Sequence, residues 1–205
     1  MILKNRFETL CLKFTSDHNL TEKFWLEIEK KYSEKNRYYH NLQHLEALFE
    51  EVEQVKEMIK NFDTISFSIF YHDVIYDATS KLNEEKSADL AKERLELLGL
   101  NNEIIQQVYD QILATKSHQK SENEDCNFLL DADLSVLGKS YEAYSKYTKQ
   151  IRKEYSIYPD FLYKPGRKKV LKHFLELESI FKTEDFKNKY ETQARENIEF
   201  ELKNL

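Results

Sequence analysis

An all-α fold is what this sequence predicts, and three observations carry that prediction. Only three glycines and two prolines occur in 205 residues, too few for the tight turns of a β-sandwich or for a Gly-rich nucleotide-binding α/β fold. Apolar residues recur at helical spacing from one end of the chain to the other, and capping residues stand where many of those runs begin and end. The length and the 40% hydrophobic content suit one domain with a real core. The expectation is a single compact helical bundle of about ten helices over 1–205, with a motif-bearing core at about 37–138 and C-terminal helices at 139–205 packed on it.

Taken in order, a first helix runs through Phe14. A second is expected over 21–32, where Phe24, Trp25 and Ile28 form an apolar stripe and Thr21 with Glu22 suits a helix start. Asn41 can cap a third, which sets Leu42, Leu45, Leu48, Phe49, Val52 and Val55 on one face and acids on the other. The apolar stretch 65–75, ISFSIFYHDVI, reads as a helix buried on most sides. Its β-branched and aromatic content leaves a strand as the alternative, while length and neighbours favour the helix.

An amphipathic helix over 81–98 is closed by Gly99, and Asn101 or Asn102 then caps a segment through Ile104, Ile105, Val108 and Ile112. Two more helices are expected at 128–137, closed by Gly138, and at 141–155. In the latter, Tyr141, Tyr144, Tyr147 and Tyr155 form a helical aromatic pattern that suits packing, with base stacking as the alternative. Both prolines fall in 158–166, read as a turn or short helical loop before a helix starting near Arg167. A heavily charged last helix spans 184–202.

Charge and cysteine usage narrow the function. With 31 basic and 37 acidic residues the net charge is −6, which argues against a nucleic-acid polymer or an anionic membrane as the main partner and favours small molecules. Cys11 and Cys126 are far apart and form no C-x-x-C, so neither a disulfide framework nor a Cys-rich zinc site is indicated. Charges at Lys4, Arg6 and Glu8 break up the N-terminus, and no apolar run approaches a membrane span. A cytoplasmic protein without a membrane partner is expected.

Six histidines occur, and three of them, His40, His44 and His72, fall in runs that suggest chemistry. In RYYHNLQHL, His40 and His44 are four apart, which on one helix face brings both imidazoles towards a common point. In IFYHDVIYD, His72 and Asp73 interrupt the most apolar part of the chain, and Asp77 follows. Desolvating such a carboxylate costs several kcal/mol unless a cation or strong donors compensate. A metal ion would compensate, and imidazole with carboxylate suits Mn²⁺, Fe²⁺, Co²⁺, Ni²⁺, Mg²⁺ or Zn²⁺ without choosing among them. In FLLDADLSVLG, Asp131 and Asp133 again interrupt an apolar stretch. Two positions apart on a helix they face different ways, and the spacing leaves open which one faces a site.

A histidine, then a His-Asp doublet, then a distant aspartate, all on helices, resembles the HD-domain superfamily of metal-dependent phosphohydrolases. The wording RYYHNLQHL, FYHDVIYD, NEEKSA and LDADLSVLG is similar to a bacterial group described as predicted metal-dependent phosphohydrolases of that superfamily. The resemblance runs from about Arg37 to Glu201. It implies an HD-like helical domain with metal ligation by His44, His72, Asp73 and Asp133. By analogy with the distantly related cyclic-nucleotide phosphodiesterases, whose runs resemble Tyr39-His40-Asn41 through His44 and Ala132-Asp133-Leu134-Ser135, His40 protonates the leaving group. Those enzymes carry a further histidine just after the doublet, where this chain reads Val74-Ile75-Tyr76-Asp77, which sets it apart from cyclic-nucleotide hydrolysis.

The implied activity is hydrolysis of a phosphate monoester or diester, plausibly of a nucleotide, with a divalent metal and a small phosphorylated substrate. Arg37 and Arg167 are candidates to fork onto phosphate oxygens, a surface ion pair being the alternative for each. His118 could supply a second-metal ligand or contact a phosphate, or face solvent in a polar loop. Asp77 and Glu84 could hydrogen-bond a ligand histidine or orient water, or serve as helix-surface or capping carboxylates. The competing reading is a non-catalytic helical module that keeps a metal or ligand site for stability or sensing.

Overall fold

Residues 2–205 are described by a computed structural model, and ten α-helices with two short 3-10 turns account for them, without a strand among the described residues. The chain divides into two compact units, Met1–Leu129 and Leu130–Leu205. No helix among the described residues is long and apolar enough to cross a membrane.

Unit 1 holds α1 (Ile2–Cys11), α2 (His18–Tyr32), α3 (Leu42–Gln54), α4 (Phe62–Tyr71), α5 (Asn83–Leu97), α6 (Asn102–Ala114) and the first half of α7 (Glu124–Leu134). Its centre is α4, in which every residue from Thr64 to Tyr71 is buried and which packs against α1, α3, α5 and α6. A helix buried all round must satisfy its hydroxyls internally. Ser66 donates to the Phe62 carbonyl, Ser68 to Gln111 Oε1, and Thr64 to the Asn61 carbonyl. The Phe70 ring anchors an aromatic cluster, edge-on to Phe7 at 5.0 Å and to Trp25 at 6.4 Å and tilted on Phe49 at 5.0 Å.

Capping chemistry sets the starts of these helices. Asp17, Asn41, Asn61 and Asn101 each accept a hydrogen bond from a backbone N–H two or three residues on. The Asp17 cap moves the start of α2 to His18, ahead of the expected Thr21. Gly99, at φ +83°, closes α5 in the left-handed conformation that glycine tolerates.

One expected helix is shorter than the sequence indicates. α4 stops at Tyr71, and the segment from Asp73 onward turns away. The carbonyls of Asp73 and Val74, which a continuing helix would pair with its own later amides, accept instead from the Arg37 guanidinium at 2.6 and 3.0 Å.

Unit 2 comprises the end of α7, a 3-10 turn over Ser135–Gly138, α8 (Tyr141–Glu154), α9 (Asp160–Glu176) and α10 (Glu184–Asn204). The turn expected at 158–166 is a correction, because α9 already starts at Asp160 and takes in Pro165. Proline denies a hydrogen bond to the carbonyl four residues back, that of Phe161. Here the neighbouring turn is exposed, with Phe161 at 75% and Leu162 at 54%, so water can satisfy that carbonyl.

Two polar fastenings hold unit 2. The Asp131 carboxylate, fully buried, accepts from the backbone N–H groups of Lys182 and Thr183 and from the Thr183 hydroxyl, all at 2.7–2.8 Å. Burial nonetheless raises its carboxyl above the ordinary range, against the pull of those donors. The Asn197 amide donates to the carbonyls of Leu137 and Lys139 at 2.9 Å each. Gly138 lies between them against α10, where an added Cβ would sit 2.5 Å from Tyr190 Cβ and 2.7 Å from its carbonyl oxygen. Close approach, more than helix closure, is what this position requires of glycine. Gly138→Ala is therefore expected to lower stability by about 1–3 kcal/mol through overpacking, read as a lower urea midpoint with an unchanged slope.

Candidate metal centre

Two segments of unit 1 bring four polar side chains together. His44 lies in the first turn of α3, where the Asn41 cap sets the helix's direction. His40 precedes that cap, so the expectation that both histidines share a helix face is corrected, yet their rings still come within 5.6 Å. His72 ends α4, and Asp73 follows in the turn that Arg37 holds. The His44 and His72 side chains are both 1% exposed.

Their distances are those of groups sharing one cation. His72 Nε2 lies 3.2 Å from His44 Nε2 and 3.2 Å from Asp73 Oδ2, and Asp73 Oδ2 is 4.0 Å from His44 Nε2 and 3.9 Å from His40 Nε2. The tautomer of His72 follows from its other nitrogen. Nδ1 is 2.9 Å from the Ile69 carbonyl, which can only accept, so in the neutral ring Nδ1 carries the proton and Nε2 presents its lone pair to the cluster. That lone pair faces both a carboxylate oxygen and a second imidazole nitrogen. A single proton on Nε2 can serve only one of the two, whereas a metal ion serves both, and the carbonyl-anchored imidazole is a common arrangement among metal-ligating histidines.

Asp133 lies in the last turn of α7, one unbroken helix whose start is tied down where Asp125 accepts from the N–H groups of Lys60 and Asn61. Of the two carboxylates in that run, Asp131 spends its oxygens on Lys182 and Thr183.

Arg37 is buried and clamps the site's backbone. Its Nη1 donates to the carbonyls of His40 at 3.2 Å and Asp73 at 2.6 Å, and its Nη2 to that of Val74 at 3.0 Å. The guanidinium lies over the Tyr32 ring at 4.9 Å and the Tyr76 ring at 5.5 Å, and the Tyr32 hydroxyl accepts from the Asp73 N–H. Tyr76 in turn stacks on His40, with ring centroids 4.4 Å apart. Sequence reasoning missed Tyr32 and Tyr76. The second was in view, because it stands four residues after His72 in IFYHDVIYD, but nothing in that spacing shows that its ring meets His40.

The other singled-out residues have different surroundings. Arg167, in unit 2, forks onto Glu201 at 2.8 and 3.0 Å. Asp77 is exposed and accepts from the N–H and hydroxyl of Thr79, which hold its carboxyl below the usual range. It shapes the turn that Asn83 fastens to the Asp77 backbone. Glu84 lies half-buried in the first turn of α5. His118 follows α6 at φ +50°, its N–H closing on the Ala114 carbonyl, a helix-ending conformation that usually falls to glycine or asparagine.

The chain matches no family model, no curated protein and no solved structure.

Replacing the fork of Arg37 tests the clamp. A lysine carries one compact ammonium and cannot reproduce three planar contacts in two directions. Arg37→Lys is expected to cost about 1–3 kcal/mol of stability in urea unfolding and to weaken metal retention measured by dialysis, although it removes no ligand.

Proposed function

We propose that this chain is a divalent-metal-dependent phosphohydrolase that cleaves a phosphate monoester or diester of a small molecule, plausibly a nucleotide. One observation carries the reading. His44 Nε2, His72 Nε2 and Asp73 Oδ2 stand within 4.0 Å of one another, with the His72 lone pair aimed at the other two and His40 beside them. The order of these residues along the chain supports it, because it is the pattern that resembles the HD phosphohydrolases.

His44, His72, Asp73 and Asp133 would hold the ion. A divalent ion there supplies Lewis acidity to the phosphate ester and acidifies water to hydroxide near neutral pH. The chain's own residues do the rest. His72 is fixed by the Ile69 carbonyl, and the Asp73 backbone by Tyr32 and Arg37, which limits the rearrangement binding requires. His40 is more open than its neighbours, its side chain 19% exposed, and is steadied against Tyr76. From there its imidazolium would give a proton to the leaving oxygen. Arg37 and Arg167 take no part in phosphate binding, since both guanidiniums are engaged within the protein.

Metal analysis of protein purified without chelator, followed by a panel of phosphate esters in Mn²⁺, Co²⁺, Mg²⁺ and Ni²⁺, tests the proposal. His72→Ala and Asp73→Ala are expected to lose metal and hydrolysis together, and unchanged metal content and turnover in both would overturn it. His40→Gln is expected to keep metal and to lower turnover by about 10²–10⁴-fold. Loss of thermal stability on chelation, with no turnover of any ester, would favour a non-catalytic metal-binding module.

A further inference from the structure

Unit 2 contains a cavity of about 350 Å³ between α8, α9 and the end of α10, within the roughly 300–1,000 Å³ of small-molecule sites. It shares no residue with the metal centre. Its walls combine two features that a surface without a ligand has little reason to keep together.

The first is exposed aromatic area. Tyr141 and Phe200 meet edge-to-face at 4.9 Å, yet remain 49% and 47% exposed. Behind them lie Tyr144, which is buried, and Tyr163, which is half-buried. Such faces offer a flat aromatic ring a stacking surface.

The second is uncompensated positive charge. The cavity's two acidic side chains are already neutralised: Asp160 by Arg152 at 2.8 Å, and Glu201 by Arg167 at 2.8 and 3.0 Å, with the Tyr144 hydroxyl also donating to Glu201. Arg152 is fully engaged as well, donating to the carbonyls of Tyr155 and Tyr158 and lying over the Tyr163 ring at 4.6 Å. Lys149 on α8 and Lys164 on α9 line the same cavity, are exposed and make no ion pair among the described residues. On a chain of net charge −6, two lysines without an acidic partner at one aromatic cavity mark a local preference for an anion.

From these features we infer that the cavity is a second ligand site, for an aromatic ring that carries a phosphate, a mononucleotide being the fitting class. A bare phosphate would leave the Tyr141 and Phe200 faces unused, and an uncharged nucleoside would leave the lysines unused. The base stacks on the aromatic wall, and the phosphate sits between the two ammonium groups.

Calorimetric titration of the full chain in EDTA with AMP, GMP, CMP and UMP, against adenosine and inorganic phosphate, tests the site. Saturable binding of at least one mononucleotide below roughly 1 mM is expected, with adenosine and phosphate each at least about tenfold weaker. The double substitution Lys149→Ala/Lys164→Ala is expected to weaken nucleotide binding about tenfold or more, and Tyr141→Ala to weaken it too. Both changes fall on exposed side chains, and matching thermal melts establish that they leave the fold intact. Binding that survives in His72→Ala protein separates this site from the metal centre, so either can fail alone. Absence of saturation with all four nucleotides, phosphate binding as tightly as AMP, or affinity indifferent to the lysine pair would overturn the inference.

Discussion

The candidate metal centre depends on one buried guanidinium. Arg37 reaches three carbonyls, of His40, Asp73 and Val74, and so joins the segment before α3 to the turn after α4. A buried cation of this kind is tolerable only because each of these acceptors is fixed and polar. The carbonyls gain in return, since the backbone has left helical geometry there and offers them no amide of its own. Tyr32 and Tyr76 sandwich the same group, and through Tyr76 the constraint passes to His40. His40, Asp73 and the backbone turn are thereby one mechanical unit.

The packing beneath explains why that unit can be placed accurately. α4 is buried on all sides and its serine and threonine hydroxyls are paired, so the end of the helix is a fixed point from which His72 projects. Histidine held by a carbonyl on its own helix cannot turn its ring without breaking that bond. Rigid elements carry the imidazoles, and an irregular turn carries the carboxylate, which suits a site needing donors from directions one helix cannot supply.

Unit 2 is arranged differently. Its fastenings are polar groups at loops, Asp131 on the α9–α10 connection and Asn197 on the turn around Gly138. It also leaves large apolar side chains such as Phe161 and Phe200 in solvent. Cation and aromatic occur together here too, but the pairs in its cavity wall are internally neutralised, and only Lys149 and Lys164 remain for an outside charge. The two units thus carry different chemistry: one brings imidazoles and a carboxylate together, the other exposed lysines beside aromatic rings.

Low glycine and proline content, helical periodicity and caps at Asn41 and Asn101 were enough to determine an all-helical chain, because those signals are local and act within a few residues. His72 and Asp73, which interrupt an apolar stretch, were also legible as groups that need a partner wherever the chain folds, while the proposed donor set of His44, His72, Asp73 and Asp133 came from the resemblance to the HD phosphohydrolases. Tertiary structure alone decided the rest. It ended α4 at Tyr71, drew Asp131 away to Lys182 and Thr183, and turned two arginines suited to phosphate inward onto carbonyls and Glu201. It also admitted Pro165 into α9. Each of these depends on a partner distant in sequence or on whether a segment meets water, and neither is encoded in the spacing of neighbouring residues.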